Sequence, residues 1–527
     1  MADIVELNHP DNVELVAGAS QNWVDLGEPA ASTAALRRLV TDRLDGVATC
    51  LVVGPHDVAL LRELEGRVGA LTVVVRAIVD AATVGAACPG AAVLCGQVTD
   101  ALARLGTFDL VVALDDVTRT QSLEAEPQPW LDLARAIAGT VAPGGTLLLG
   151  VENELGLHRL TLAENPFSRD GDGDWTPLAT WDASRPRTRA QLSTALADLG
   201  VAGDILDAHA TFRHPTALGV GLDGADAALL DLLPALATQP TTEPAQGTTP
   251  VFLARSLALA GRLRDHCAGW IVVTGPPAAG VPRIEAGTAS GEPVVWTASG
   301  PGAVTRTIGG LSRRVEVTGP ARTLLARVTV ACTDADLPEL RALLTGWRAW
   351  LESKATDGVL PAEWTDARFG NVLPGVEWAV LTPGLGEARL DVVAWTALGD
   401  AFDVLRGQGV RLPWPTGLHP RTVLETMGAM AGLTPPADLG PYFRAVEPDP
   451  LYLLTRQELI ATVRRQEAQL HGAWSRWTWD ERRYATDRVI RVAKKAAQKG
   501  LLEGRKAADR LRGRRAAPDA DPSQARP

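Results

Sequence analysis

Lysine is almost missing from this chain: five occur in 527 residues, and four of them (Lys494, Lys495, Lys499, Lys506) lie near the end. Arginine and alanine dominate the body instead, a coding bias without functional content. Cysteine is also scarce. The five present (Cys50, Cys88, Cys95, Cys267, Cys332) form no C-x-x-C and have no flanking histidine at ligand spacing. That excludes a zinc site and a disulfide framework, and each thiol reads as a small buried apolar group. No apolar run reaches the roughly 18 residues of a membrane span. The start, Met1-Ala2-Asp3-Ile4-Val5-Glu6, carries acid where a signal peptide needs basic residues, so a cytoplasmic protein is expected. With 62 acidic against 51 basic residues, a net charge of −11 speaks against a body built to coat nucleic acid.

What is present is enough for several cores: 46% of residues are hydrophobic, and at roughly 150 residues per domain the length suggests three or four units. From 47 to 151 short apolar runs alternate with helix-like stretches. Cys50–Val53, Leu71–Val75, Ala92–Cys95, Phe108–Leu114 and Thr146–Val151 read as strands. Helices are expected through Val58, Leu61 and Leu64, and through Leu131, Leu133 and Ile137. Continuous apolar strands separated by helices imply an α/β fold with a doubly wound, mostly parallel sheet covered on both faces. The ligand crevice of such a sheet lies beyond the carboxyl ends of its strands, beside the first strand. Gly54 to Asp57, Arg76, Gly96-Gln97 and Asp115-Asp116 would border it. Thr188-Arg189-Ala190-Gln191 reads as a capping box opening a helix that stops at Gly200. Residues 201–220 and Trp270–Thr274 read as the last strands of the sheet.

The order strand, glycine-containing loop, helix, then Phe108-Asp109-Leu110-Val111-Val112-Ala113-Leu114, then Ala142-Pro143-Gly144-Gly145-Thr146-Leu147-Leu148, resembles class I S-adenosylmethionine-dependent methyltransferases. Val151-Glu152-Asn153-Glu154-Leu155-Gly156-Leu157 is similar to a stretch after the fifth strand in a bacterial subgroup associated with glycan or secondary-metabolite assembly. The resemblance covers about 45–275. It implies a Rossmann-like sheet of seven strands, S-adenosylmethionine as cofactor, and Gly54, His56, Asp57, Arg76, Gln97 and Asp115 as the positions facing it. Two positions depart from the pattern. Gly54-Pro55-His56-Asp57 keeps only the first glycine of the usual G-x-G, and proline removes an amide donor. Arg76 stands where the family ends its second strand in an acid for the ribose hydroxyls, and it has donors only. Asp80 is the nearest substitute. Gln97 fits the adenine-facing turn. Asp115, Asp116 and Glu152 are the candidate catalytic residues, since a carboxylate there can take a proton from the acceptor; otherwise they are loop and turn residues. Asn153, His158 and His214 are further candidates by residue type.

Two readings follow: methyl transfer to a small hydroxyl- or amine-bearing acceptor, such as a sugar or natural-product intermediate, or a catalytically inactive scaffold for a pathway enzyme. The two departures favour the scaffold. Arg76 as a binder of an NADP phosphate is a third idea, without a glycine fingerprint to support it.

The expected organisation is an N-terminal extension (1–45), the methyltransferase-like domain (46–275), a Pro/Gly-rich linker (276–293), an α+β accessory domain (294–450), a basic helical tail (451–515) and a disordered end (516–527). In the accessory region, Val304–Ile308, Arg314–Val317 and Leu325–Val330 suggest strands, and 336–352 a helix. Asp366, Asn371 and the pair Glu377-Trp378 resemble a C-terminal pattern of the same subgroup, to which no chemistry attaches; a metal shared by Asp366 and Asn371 lacks a supporting glycine-rich loop. Between Arg488 and Arg515 eleven basic residues face only Glu503 and Asp509. With Trp474, Trp477 and Trp479 before it, 474–515 suits an anionic membrane surface at the inner face of the membrane. Nucleic acid, an acidic partner, or a solvated helix docking on the chain's own acidic body are the alternatives.

Overall fold

The computed structural model describes residues 9–442, except 21–23, 27–29, 31–32, 123, 162–181, 211–214, 239–248, 276–280, 288–291, 318, 376 and 416–417. His214 and the whole basic tail lie outside the described residues.

The chain enters through a short strand β1 (Val13–Leu15) and a helix α1 (Ala34–Thr41). It then alternates: β2 (Thr49–Val53), α2 (Val58–Arg67), β3 (Ala70–Val75), α3 (Ile78–Ala87), β4 (Ala92–Cys95), α4 (Val98–Leu102), β5 (Phe108–Ala113), α5 (Trp130–Ala138) and β6 (Val141–Glu152). The five expected strands are all present, within a residue or two except that β6 begins five residues early. Leu51, Val52, Leu110, Val111 and Val112 are wholly buried, because helices cover both faces of these strands. α1, α2 and α3 pack on one face through Leu36, Leu61 and Val84. α4 and α5 pack on the other through Ala101, Leu133 and Ile137.

After α6 (Leu157–Leu160) and α7 (Arg189–Asp198) come β7 (Asp204–His209), β8 (Ala217–Val220), α8 (Ala227–Ala237), α9 (Pro250–Leu259) and β9 (Gly269–Val273). Thr188 caps α7 by accepting the amide of Gln191 at 3.1 Å, while the Gln191 side chain takes the amide of Arg187. Strands β10 (Arg283–Ala286), β11 (Val294–Ala298), β12 (Ala303–Ile308) and β13 (Leu311–Glu316) follow.

Thirteen strands form one sheet in the order β1-β4-β3-β2-β5-β6-β9-β7-β8-β10-β11-β12-β13. β1, β4, β3, β2, β5 and β6 pair in parallel, β9 runs antiparallel between β6 and β7, and from β7 outward every pairing is antiparallel. A doubly wound sheet is thus present, and its strand order reverses between β2 and β5. It is larger than the seven strands expected: β1 adds one edge, and β8 with β10–β13 extends the other. β10 falls inside the stretch read as a linker, so the sheet continues through it.

Leu325–Val330, read as a strand, is helical (Leu324–Thr333), with the Thr323 hydroxyl accepting the Ala326 amide. Its β-branched residues suggested a strand, but Leu324, Leu325, Val328, Ala331 and Cys332 all point into one core at helical spacing. The helix Leu337–Lys354 buries Leu340, Leu343, Leu344, Trp347 and Leu351, as its periodicity predicts. Helices Leu390–Gly407 and Pro420–Met430 complete that core. All five cysteines are free and buried. Among the described residues no helix is long and apolar enough to cross a membrane.

Candidate functional site

The carboxyl ends of β2, β3, β4 and β5 meet beside the point where the strand order reverses, and the expected site residues stand there. Gly54 leaves β2 with a left-handed φ of +92°. His56 is fully buried: its Nδ1 meets the Gly54 carbonyl at 3.1 Å, and its Nε2 accepts the Leu114 amide at 3.2 Å. Burial lowers its pKa to about 4, so the ring is neutral and holds the β2 and β5 ends together. Asp57 caps α2 through the Ala59 amide.

Arg76, at the end of β3, is 2% exposed. Its guanidinium donates from Nε and Nη2 to the two oxygens of Asp25 at 2.7 and 2.6 Å, and from Nη1 to the Gln121 carbonyl at 3.0 Å. This bidentate pair occupies the position where the resemblance places a ribose, and leaves no guanidinium face for a nucleotide phosphate. Asp80 does not reach that space: its carboxylate accepts the amides of Asp25 at 2.7 Å and Leu26 at 3.4 Å.

Past β5, Asp115 accepts the Asp116 amide and the Arg119 guanidinium, both at 3.0 Å and both through Oδ1. Its Oδ2 is buried with no partner among the described residues. Burial pushes its pKa up to about 6, against the lowering effect of Arg119. Asp116 is tied to Thr118, to the Glu152 amide at 2.9 Å and to Arg185 at 3.0 Å. Glu152 accepts from His158 at 3.0 Å and Arg159 at 2.6 Å. Burial alone would raise its pKa, but Arg159, His158 and Arg185 outweigh that and hold it well below the usual range. Asn153 spends its amide on the Asp265 and Cys267 carbonyls and is a structural turn residue. Gln97 accepts the Ser122 amide at 2.8 Å, whereas its Nε2 is buried with no partner among the described residues. In the C-terminal region Asn371 uses its side chain on the Asp366 and Thr382 carbonyls and on Thr382 itself, and Asp366 pairs with Arg368.

Sequence reasoning therefore found the residues at the strand ends but missed Asp25, Arg119 and Arg185, the charges that engage them. Arg119 sits four residues after Asp115 and was findable by spacing. Asp25 comes from 51 residues away, with no local signal.

The missing signal belongs to residues between β1 and α1 that bond to the strand ends. Val16 donates to Cys95 (2.7 Å) and Ala17 accepts from Gln97 (2.8 Å) at the end of β4. Ser20 donates to Arg76 (2.8 Å) and accepts from Ile78 (3.0 Å) at β3. Ala30 donates to Pro55 (2.8 Å) and accepts from Asp57 (3.0 Å) at β2.

S-adenosylmethionine would need bare glycine backbone and open space at these same ends. A Cβ on Gly54 would lie 3.3 Å from the Thr120 methyl carbon, and one on Gly96 would lie 2.8 Å from the Val16 and Ala17 carbonyls. The room each glycine leaves is already filled by this chain. Gln97 and Asp115 retain unspent polar atoms that suit such a ligand, but in this conformation the residues do not fit the cofactor.

No protein-family model matches the chain, and no curated protein matches it. Solved structures similar to it include an S-adenosylmethionine-dependent methyltransferase from Mesorhizobium loti (15% identity, 46% of this chain and 97% of that one, TM-score 0.26). An amino pentose methyltransferase from Micromonospora echinaspora is similar over 62% of this chain and 84% of its own, at 14% identity and a TM-score of 0.19. A [4+2]-cyclase is similar over 47% and 82%, at 16% identity and a TM-score of 0.25. With TM-scores this low, these likenesses decide nothing about activity, and the fold rests on the strand order itself.

Proposed function

We propose that the chain transfers a methyl group from S-adenosylmethionine to a small hydroxyl- or amine-bearing acceptor, and does so only in a conformation more open than the one described. The observation that supports this is the pair of unspent buried atoms, Asp115 Oδ2 and Gln97 Nε2. A buried polar atom without a partner costs about 1–3 kcal/mol. A crevice closed for good gains nothing by keeping two of them. A ligand offering donors to the carboxylate and an acceptor to the amide would satisfy both.

The second reading, an inactive scaffold for a pathway enzyme, is favoured by Arg76. Parting a buried ion pair costs about 3–5 kcal/mol, which weakens any ligand that needs it parted by about 10²–10⁴. An intrinsically micromolar cofactor would then bind near the millimolar range.

Titration calorimetry with S-adenosylmethionine and its demethylated product tests the choice. Weak, saturable binding that is lost in Gln97→Ala and Asp115→Ala is the expected result. No heat and no thermal shift at millimolar ligand would leave the scaffold.

A further inference from the structure

Beside the crevice, on the face of the sheet that α7 covers, two arginines converge on one buried carboxylate. Asp207, on β7, has a side chain only 1% exposed and shares that face with Ile205, as strand alternation requires. Arg189, the first residue of α7, donates from Nη1 to its Oδ1, and Arg264 donates from Nε to its Oδ2 at 2.6 Å. One carboxylate thus takes two cations, which leaves one positive charge in surplus on the outer side. Asp223 meets that surplus: its Oδ2 accepts from Arg189 Nη2 at 3.1 Å, and its Oδ1 lies 2.9 Å from Arg264 Nη2. The two aspartates are held on unequal terms. Asp207 is buried with both oxygens engaged, whereas the Asp223 side chain is 71% exposed and has no further partner among the described residues. An exposed ion pair of this kind adds little to stability, and turning the Asp223 side chain into water releases it without moving the backbone. Arg189 Nε and Arg264 Nη1 have no partner among the described residues either, so each guanidinium keeps a donor to spare.

We infer that Arg189 and Arg264 form a binding site for the phosphate group of a small acceptor molecule, with Asp223 as the internal carboxylate that the phosphate displaces. Asp223 shows the shape of the ligand: two oxygens that bridge two guanidinium groups. A phosphate monoester offers the same two oxygens, a third for the spare donors, and nearly two negative charges against the one of Asp223. Arginine suits this use because its rigid fork of donors matches phosphate geometry. The site is tied to the crevice by sequence. Arg185, in the run Arg185-Pro186-Arg187-Thr188-Arg189, donates from Nη2 to Asp116 at 3.0 Å. Four residues of chain separate it from Arg189, at most about 14 Å between Cα atoms. A molecule of sugar-phosphate or nucleotide size spans that interval. That the phosphate belongs to the methyl acceptor rests on the methyl-transfer reading; the phosphate site itself does not.

Titration calorimetry of the full-length protein with inorganic phosphate, at constant ionic strength, tests the site. The basic residues near the end of the chain also attract phosphate, so the reading is the difference between variants. Asp223→Asn removes the competing charge at an exposed position and should tighten phosphate binding about 10-fold relative to the native chain. Adding Arg264→Gln to Asp223→Asn should abolish that gain. Adding Arg189→Gln instead should abolish it too, and this change, at the first residue of a helix, keeps the test open if loss of Arg264 prevents folding. Equal phosphate affinity in the native and Asp223→Asn proteins would overturn the site, as would a gain that survives Arg189→Gln. Acetate, with the single charge of Asp223 itself, should gain much less than phosphate; an equal gain would overturn the choice of phosphate. No S-adenosylmethionine enters these titrations. Their failure therefore leaves methyl transfer standing, and failure of the cofactor to bind leaves the phosphate site standing.

Discussion

His209, at the end of β7, is 1% exposed, and neither ring nitrogen has a hydrogen-bond partner among the described residues. An imidazole in that position spends desolvation energy on both nitrogens and recovers none of it. Replacing it with a side chain of similar volume removes the loss, so His209→Leu should stabilise the protein by about 1–3 kcal/mol, read from urea denaturation at pH 7. The opposite holds for the Arg76–Asp25 pair. Arg76→Ala leaves a buried carboxylate behind and should cost about 3–5 kcal/mol, whereas Asp25→Ala/Arg76→Ala should cost clearly less than the two single losses added together. A simple sum in that double-mutant cycle would mean the two charges do not act as a pair. At this scale the sequence is only partly legible. Asp115 and Gln97 are found because they end buried strands. Their partners are not, because Asp25, Arg185 and Ser122 arrive from separate elements, and no spacing rule reaches that far.

The helices of the C-terminal core show how one residue type can have opposite effects in two elements. Gly428 lies in the helix Pro420–Met430, where a Cβ would drive into the ring of the buried Trp395 on the neighbouring helix. Alanine gains about 1 kcal/mol of helix propensity, but a rigid indole cannot give way, and overpacking costs about 1–3 kcal/mol or more. Packing wins, and Gly428→Ala should lower the melting temperature. Gly346 faces a softer neighbour, since its Cβ would come within 3.3 Å of a half-buried Trp378. There propensity should win, and Gly346→Ala should be neutral or stabilising by up to about 1 kcal/mol. Melting curves of the two variants separate the cases. The strands of the parallel sheet were readable because burial on both faces makes their apolar runs continuous. The helix Leu324–Thr333 was not, since a short run rich in valine and threonine satisfies either period and only its cap and its core decide. β10 was masked by the prolines and glycines around it.

Across the whole molecule, buried titratable groups pull stability in opposite directions with pH. His56 and His209 are held by burial at about 4, below the ordinary 6.5, so the unfolded chain binds their protons more readily and stability falls as pH drops from 6.5 towards 4. Asp80 and Asp115 are raised by burial from 3.8 to about 6, so the folded chain binds their protons more readily and stability rises over nearly the same interval as pH drops. Between pH 6.5 and 5 the loss from each histidine and the gain from each aspartate are of similar size, on the order of 1 kcal/mol. The native protein should therefore keep its urea stability within about 1 kcal/mol across that range. His209→Leu removes one of the two acid-sensitive groups, so acidification to pH 5 should stabilise this variant by about 1–2 kcal/mol relative to the native chain.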